Sequence, residues 1–504
     1  MIRKTRGRAE KNLRKDIVFC LKQEYSGRYI RGKRGKRQIP GLNTGHRQDF
    51  MKASSKNYNI DMTSGSLPRK MLLFALPLIF SSVLQLLFNA ADLIVVGRFV
   101  GDEALAAVGS TGALINLLTN LFLGLSVGAN VLVARYTGAN RPKDVEETVH
   151  TALLTSVCSG ILLAAVGFTF AKPLLELMDT PADVIGGASK YMRIYFLGMP
   201  IMMVYNFSSA ILRAIGDTRR PLYYLAFAGC INVGMNLIFV LCFGMGVEGV
   251  AYATVLSQLV SAILVVNNLA HQDNACRFHP SKLRIHLRKL GGIARIGLPA
   301  GLQGCIFSIS NVLIQSSINS FGKLAMSGNS AGVNIEGFIY VSMNAWHHTT
   351  LSFVGQNYGA GRYDRIRKAL RWGLLFVFLF GFTLDGIALL LKPHLIGIYT
   401  KDADAIAYGC TRISVICLLY FTCGIMDVIV GALRGLGFSL MPTLMSLLGV
   451  CGFRITWIYT YFRTHHSLKV LYASYPISWC ITIVLHGCVY LMWVRKNRER
   501  LKTQ

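Results

Sequence analysis

Leu212-Arg213-Ala214-Ile215-Gly216, closed by Pro221, is answered 221 residues later by Leu433-Arg434-Gly435-Leu436-Gly437, closed by Pro442. Working outward, the same offset recurs to within a residue. Leu76-Pro77 answers Leu298-Pro299, Gly101 answers Gly322, and Lys172-Pro173 answers Lys392-Pro393. Gly138-Ala139-Asn140-Arg141 answers Gly359-Ala360-Gly361-Arg362. The chain therefore contains itself twice, and two related halves predict a pseudo-twofold molecule.

Composition gives the solvent of that molecule. Hydrophobic residues make up 53% of the 504-residue chain and charged residues 15%, against roughly 25% charged in a soluble domain. Apolar runs of about 20 residues recur, each long enough as a helix to cross a hydrocarbon core of about 30 Å. Twelve such spans are read, at 72–95, 105–133, 149–171, 191–212, 221–243, 247–269, 296–318, 330–354, 372–391, 410–433, 441–462 and 470–494. Lipid offers no partner to unpaired backbone groups, so the spans must be helices. The expectation is an all-α membrane protein of twelve transmembrane helices in two pseudo-symmetric six-helix lobes. Because six is even, both halves begin on the same side of the bilayer and the repeats are parallel.

The connections set orientation and boundaries. Those after the even-numbered spans, with the C-terminal tail, hold 23 Lys and Arg, more than twice the number on the opposite side. The richer side is expected to be cytoplasmic, which puts both termini inside a multi-pass cell-membrane protein. The organisation reads as a basic tail at 1–61, an N-lobe at 62–270, a polar linker at 271–295, a C-lobe at 296–494 and a basic tail at 495–504. Residues 1–50 carry 15 Lys and Arg against four acids, and contribute +11 of the formal net charge of +29. Their run Arg31-Gly32-Lys33-Arg34-Gly35-Lys36-Arg37 reads as a solvated tail or as sequence upstream of a start at Met51, with a nucleic-acid or anionic-lipid patch as the competing reading. No nucleic-acid partner is expected, and the partners expected are the bilayer and small molecules, with the protein acting as a monomer.

No enzyme is expected. Phosphate-binding loops, His-Glu-x-x-His runs and nucleophile elbows are missing from the sequence. The 12 cysteines are scattered singly and read as small packing residues. His347 and His348 are adjacent, so on a helix they point about 100° apart and do not share a metal easily. No metal or cofactor is expected beyond a coupling ion, H+ or Na+. Without a nucleotide loop, uphill transport would draw on an ion gradient.

Ionisable residues inside spans persist mainly where pairing or function compensates, because a charge at the bilayer centre costs at least about 2.5 kcal/mol. The acids are Asp92, Glu336, Asp385 and Asp427, and Arg454 is the deeply placed base. Asn232 and Asn236 share one helical face four residues apart, and with Asp92 they would make a cage of carboxylate and amides for a cation. The competing readings are that Asp92 hydrogen-bonds a neighbouring helix, that Asp385 reaches the outer interface, and that Arg454 pairs with Asp427 or Glu336.

These residues carry a resemblance to the multidrug and toxic compound extrusion (MATE) family across residues 60–495. The matching stretches are FALPLIF at 74–80, NAADLIVVGRFVG around Asp92, ARYTGA at 134–139 with its echo GQNYGA at 355–360, and ILRAIGDTRRP at 211–221 with its echo ALRGLGFSLMP at 432–442. The resemblance implies export of organic, often cationic or amphiphilic, compounds in exchange for H+ or Na+ through a V-shaped pair of lobes. It implies cation coupling at Asp92 beside Asn232 and Thr254, and Asn236 stands where many relatives carry Asp. Asp427 matches a C-lobe acid functional in some relatives, Glu336 has no general counterpart, and Gln303, Ser308, Ser310 and Asn311 stand where those relatives carry a span-seven glutamate. Met199, Met202, Met203, Tyr205, Phe207, Met343 and Trp346 would line an adaptable substrate cavity, against the blander reading of helix packing. A flippase for a lipid-linked precursor is the alternative and would require a basic cavity. A receptor or anchor working through the basic tail is the third class.

Overall fold

The computed structural model describes residues 58–497, apart from 179, together with residue 499. The start at Met51, the basic run of the first 57 residues and most of the tail after 497 lie outside the described residues.

Among the described residues every regular element is helical, and the elements pair by repeat. In the N-terminal half these are α1 (Leu67–Phe99), α2 (Asp102–Gly138), α3 (Pro142–Leu177), the pair α4 (Ile185–Leu197) and α5 (Met199–Ala214), α6 (Arg219–Leu237) and α7 (Val247–Ala270). In the C-terminal half they are α8 (Leu287–Asn319), α9 (Lys323–Gly359), α10 (Tyr363–Gly397), the pair α11 (Ala403–Ile416) and α12 (Phe421–Gly435), α13 (Leu440–Ser446), α14 (Phe453–Trp457) and α15 (Leu468–Lys496). A π turn at Ile238–Cys242 extends α6, and π turns at Leu447–Gly452 and Ile458–Phe462 join α13 and α14 into one span. Every one of the twelve expected spans falls on such a helix or composite.

Nine of these helices are long and apolar enough to cross a membrane, and the two bent pairs bring the number to eleven. The bends match across the repeat, at 49° between α4 and α5 and 48° between α11 and α12. The remaining span is α9, which has the length but too much polarity, carrying Asn329, Glu336, Asn344, His347, His348 and Gln356. It escapes the lipid because it is buried along most of its length, with Met343 and Trp346 completely enclosed. Elsewhere Phe80, Ile94, Phe227, Phe382 and Leu390 are exposed, an apolar belt that water would not tolerate and hydrocarbon would.

The two lobes carry two main cores, one built around Phe196, Met199 and Phe207, the other around Met343, Trp346 and Phe353 with Met71, Phe74 and Leu78 of α1 packed into it. They meet where glycine lets backbone touch backbone. A Cβ on Gly124 would fall 2.3 Å from the Gly301 nitrogen, and one on Gly301 would fall 2.3 Å from the Leu121 oxygen, so α2 and α8 pack without side chains between them. At the basic end the pseudo-twofold axis is almost visible in the contacts. A Cβ on Gly138 would lie 1.9 Å from the Gln356 oxygen, and one on Gly359 would lie 1.9 Å from the Arg135 oxygen. Gln356 Nε2 donates to the Ala214 oxygen at 2.6 Å, and Asn130 Nδ2 donates to the Ala210 oxygen at 2.7 Å while its Oδ1 accepts from Ser352 at 3.2 Å.

Residues 58–66 lie as a strap over this closure. The Ile60 N–H donates to the Gly216 oxygen at 3.2 Å on the N-lobe. On the C-lobe side, Asn357 Nδ2 donates to the Met62 oxygen at 3.0 Å, and Arg365 donates to the Gly65 and Ser64 oxygens at 3.0 and 2.9 Å. Gly216 has φ 97°, a region favouring glycine, and a Cβ there would strike the Ile60 oxygen at 2.3 Å. The glycine that both copies of the motif share is thus needed here for the strap to seat. The linker after α7 lies along α3, where Lys282 meets Glu146 at 2.6 Å, Lys289 meets Asp144, and the His279 N–H donates to His150 Nε2 at 3.1 Å.

Candidate functional site

Close packing of two helices decides where Asp92 points. Gly229 on α6 leaves room for the ring of Phe88 on α1, and a Cβ there would sit 1.8 Å from that ring. One turn further along α1 comes Asp92, and one and two turns along α6 come Asn232 and Asn236, so a single ring in a single notch sets their register. α7 completes the site with Thr254, held by a hydrogen bond from its own hydroxyl to the Val250 oxygen at 3.0 Å.

The four residues meet inside the N-lobe. Asn236 Nδ2 donates to Asp92 Oδ1 at 2.5 Å and reaches Asn232 Oδ1 at 3.4 Å. Thr254 Oγ1 shares its one proton between the Val250 oxygen and Asp92 Oδ2, the latter at 3.3 Å, and accepts from Asn232 Nδ2 at 3.5 Å. Asp92 is only 9% exposed, and no basic side chain forms an ion pair with it among the described residues. Asn236 Oδ1 is buried without any hydrogen-bond partner. A carboxylate lacking a counter-charge next to an orphaned carbonyl oxygen is an electron-rich hole. Chemically it suits a small hard cation or a proton, since oxygen donors are what both require.

The C-lobe acids divide differently. Glu336 of α9 is held by Arg412 of α11, whose Nε and Nη2 donate to its two oxygens at 2.8 and 2.6 Å. Arg412 Nη1 donates to Asn329 Oδ1 at 2.7 Å, and Tyr472 Oη donates to the same oxygen at 3.3 Å. Neither pairing expected for Arg454 forms, because Arg412 takes Glu336 and Asp427 lies among Tyr340, Asn344 and Arg434. The backbone oxygen of Asp427 accepts from His347 Nδ1 at 2.7 Å. Asp385 does not reach an outer interface. It is 2% exposed and its Oδ2 accepts the N–H of Phe421 at 2.8 Å, capping the first residue of α12 at the bend.

Of the residues expected to line a substrate cavity, Met202 and Tyr205 are half-buried on α5. Met343 and Trp346 belong to the C-lobe core instead. Trp346 stacks on Phe376 at 5.0 Å and meets Phe380 at a tilt, 5.3 Å between centroids, and the Met343 sulfur fills the space left by Gly424. Sequence reasoning passed over Arg412, which lies near the start of span ten, where a base ordinarily reaches water.

The family pattern described as MatE matches residues 77–238 and again 299–460, one copy in each lobe. The chain is 26% identical over 444 residues to "Probable multidrug resistance protein YoeA" of Bacillus subtilis, covering 86% of this chain and 96% of that protein. It is 26% identical over 384 residues to a protein named "FAD transporter" from Shewanella oneidensis, covering 74% and 83%. Among solved structures, an outward-facing multidrug resistance MATE family transporter superposes with a TM-score of 0.79 at 21% identity, covering 88% of this chain and 98% of that one. With its doubled twelve-span architecture and a match in each half, the chain belongs to the MatE family of multidrug efflux transporters.

Proposed function

We propose that this protein is a secondary active transporter that exports small organic compounds, cationic or amphiphilic, in exchange for H+ or Na+. The observation that carries the reading is the pairing of Asp92, buried without a counter-charge, with the orphaned Asn236 oxygen. An ion entering from outside takes that hole, the lobes rock about the glycine contacts of α2 and α8, and the ion is released inside as cargo leaves in the other direction. The basic end of the bundle lies in the cytoplasm in this scheme, by the excess of Lys and Arg there. The names of the relatives, multidrug resistance and FAD transport, support organic compounds as cargo.

The test is ethidium export from a bacterial host lacking its own pumps, under imposed proton and sodium gradients in turn. Export that follows one gradient and fails in well-expressed Asp92→Asn protein is expected. Export unchanged by that substitution, or by either gradient, would overturn the reading.

A further inference from the structure

Arg454 is a buried charge that forms no ion pair among the described residues. It lies on α14, is 4% exposed, and its Nε donates to Ser478 Oγ at 3.0 Å. Its guanidinium carbon stands 4.1 Å from the centroid of Tyr475 and 5.8 Å from that of Trp479. Among the described residues no carboxylate comes within 4.0 Å of it, and Glu336 is already held through both oxygens by Arg412. The Arg412 guanidinium carbon stands 5.5 Å from the same Tyr475 centroid, so two cations share one ring while one carboxylate pairs with one of them. Aromatic faces compensate a desolvated cation only in part.

The repeat shows where this cation stands. Thr254 corresponds to Tyr475 by the 221-residue offset, and α7 starts at Val247 where α15 starts at Leu468. The same offset carries Asn232 to Phe453, but the C-lobe span contains a π turn at Leu447–Gly452 for which α6 has no equivalent. A π turn adds one residue, which moves the correspondence to Arg454, and the two matched segments, 77–238 and 299–460, are likewise 222 residues apart at both ends. The contacts agree, since Asn232 touches Thr254 in one lobe as Arg454 covers Tyr475 in the other. Where the N-lobe sets amides and a hydroxyl around a carboxylate, the C-lobe sets two aromatic rings beside a guanidinium that has no carboxylate partner.

We propose that the C-lobe holds an anion subsite at Arg454, pseudo-equivalent to the Asp92 site and opposite in charge, which takes the carboxylate or phosphate group of an exported compound. The planar fork suits two oxygens of such a group. The proposal rests on the export reading and narrows its cargo to amphiphiles that include zwitterions.

The experiment uses the full chain purified in detergent and two dyes that share a fluorophore, rhodamine B, which has a free carboxylate, and its methyl ester, which has none. Fluorescence anisotropy at neutral pH reads the affinity of each. Tighter binding of the acid by about tenfold is expected, the scale of one charge-assisted hydrogen-bonded contact. Arg454→Gln removes the difference between the two dyes, while Arg454→Lys keeps part of it. Equal affinity of the two dyes for the unaltered protein overturns the proposal without any variant, and so does a difference that survives Arg454→Gln. Inorganic phosphate, at an ionic strength where sodium chloride has no effect, is expected to compete for the fork and narrow the preference; a preference that phosphate leaves untouched would place the dye carboxylate elsewhere and overturn the proposal. Loss of gradient-driven ethidium export would instead strike the export reading, so the two failures are distinguishable.

Discussion

Glu336 and Arg412 form a two-pronged ion pair between α9 and α11, with the guanidinium also anchored on Asn329 and covered by Tyr472. Breaking one half leaves an uncompensated charge inside the bundle, at about 3–5 kcal/mol. Glu336→Gln and Arg412→Met are each expected to lower thermal stability sharply. The double substitution of both by Met restores much of it, because two apolar side chains of similar volume need no partners. Scanning fluorimetry of the purified variants reads this, and a double variant less stable than either single one would show that the pair does more than neutralise itself.

Asn236 supplies the shortest hydrogen bond to Asp92 and the orphaned oxygen beside it. Asn236→Leu removes both while preserving the shape of α6. The half-saturating concentration of the coupling ion in export assays is expected to rise by about tenfold or more, the scale of a hydrogen bond to a charged group. Ester-dye affinity should stay unchanged. A variant with ordinary ion dependence would exclude Asn236 from the ion site.

Gly138 and Gly359 occupy matched places at the basic end, each against the backbone of the other lobe. Gly138→Ala and Gly359→Ala both force those backbones apart, costing the closed arrangement about 1–3 kcal/mol, or about tenfold in its population. Faster amide hydrogen exchange at residues 352–362 and slower export are expected, to a similar degree in the two variants. A large effect from one and none from the other would mean the two contacts are not mechanically equivalent.

Burial works against the charge of Asp61 in the strap, but hydrogen bonds from the Ser64 and Thr63 hydroxyls and the Thr63 N–H, with Lys70 nearby, outweigh it and hold its pKa down to about 2. A carboxyl whose folded pKa is depressed contributes stability that is fully present above its ordinary range near 3.8 and is lost as pH falls towards 2. Amide exchange in residues 58–66, corrected for its intrinsic pH dependence, should therefore show constant protection between about pH 5 and 8. Asp61→Asn should raise exchange there at all of those pH values. Protection that changes between pH 5 and 8 in the unaltered chain would point to another titrating group.

The Asp92 site was legible because its parts repeat at helical spacing. Asn232 and Asn236 declare a common face, and a carboxylate in an apolar run declares that something meets it. Arg412 was harder, since a base near the end of a span ordinarily reaches water, and only the three-dimensional position of Glu336 shows that it turns inward. Trp346 and Met343 carry no mark that separates a packed core from a cavity wall, and the structure places them in the core. The π turns around Arg454 have no residue signature at all. They are nonetheless what brings that arginine into correspondence with Asn232, which is why the sequence offset alone pairs it with the wrong neighbour.

Asp385 clasps the first amide of α12 across the bend in the C-lobe, whereas the matching bend in the N-lobe turns at Gly198, where a Cβ would strike Val255 at 2.5 Å. One elbow is bolted to the helix behind it and the other is wedged against its neighbour, so nearly equal bends of 48° and 49° are held by a hydrogen bond in one half and by close packing in the other. Two related halves have thus kept a shape without keeping the residues that make it.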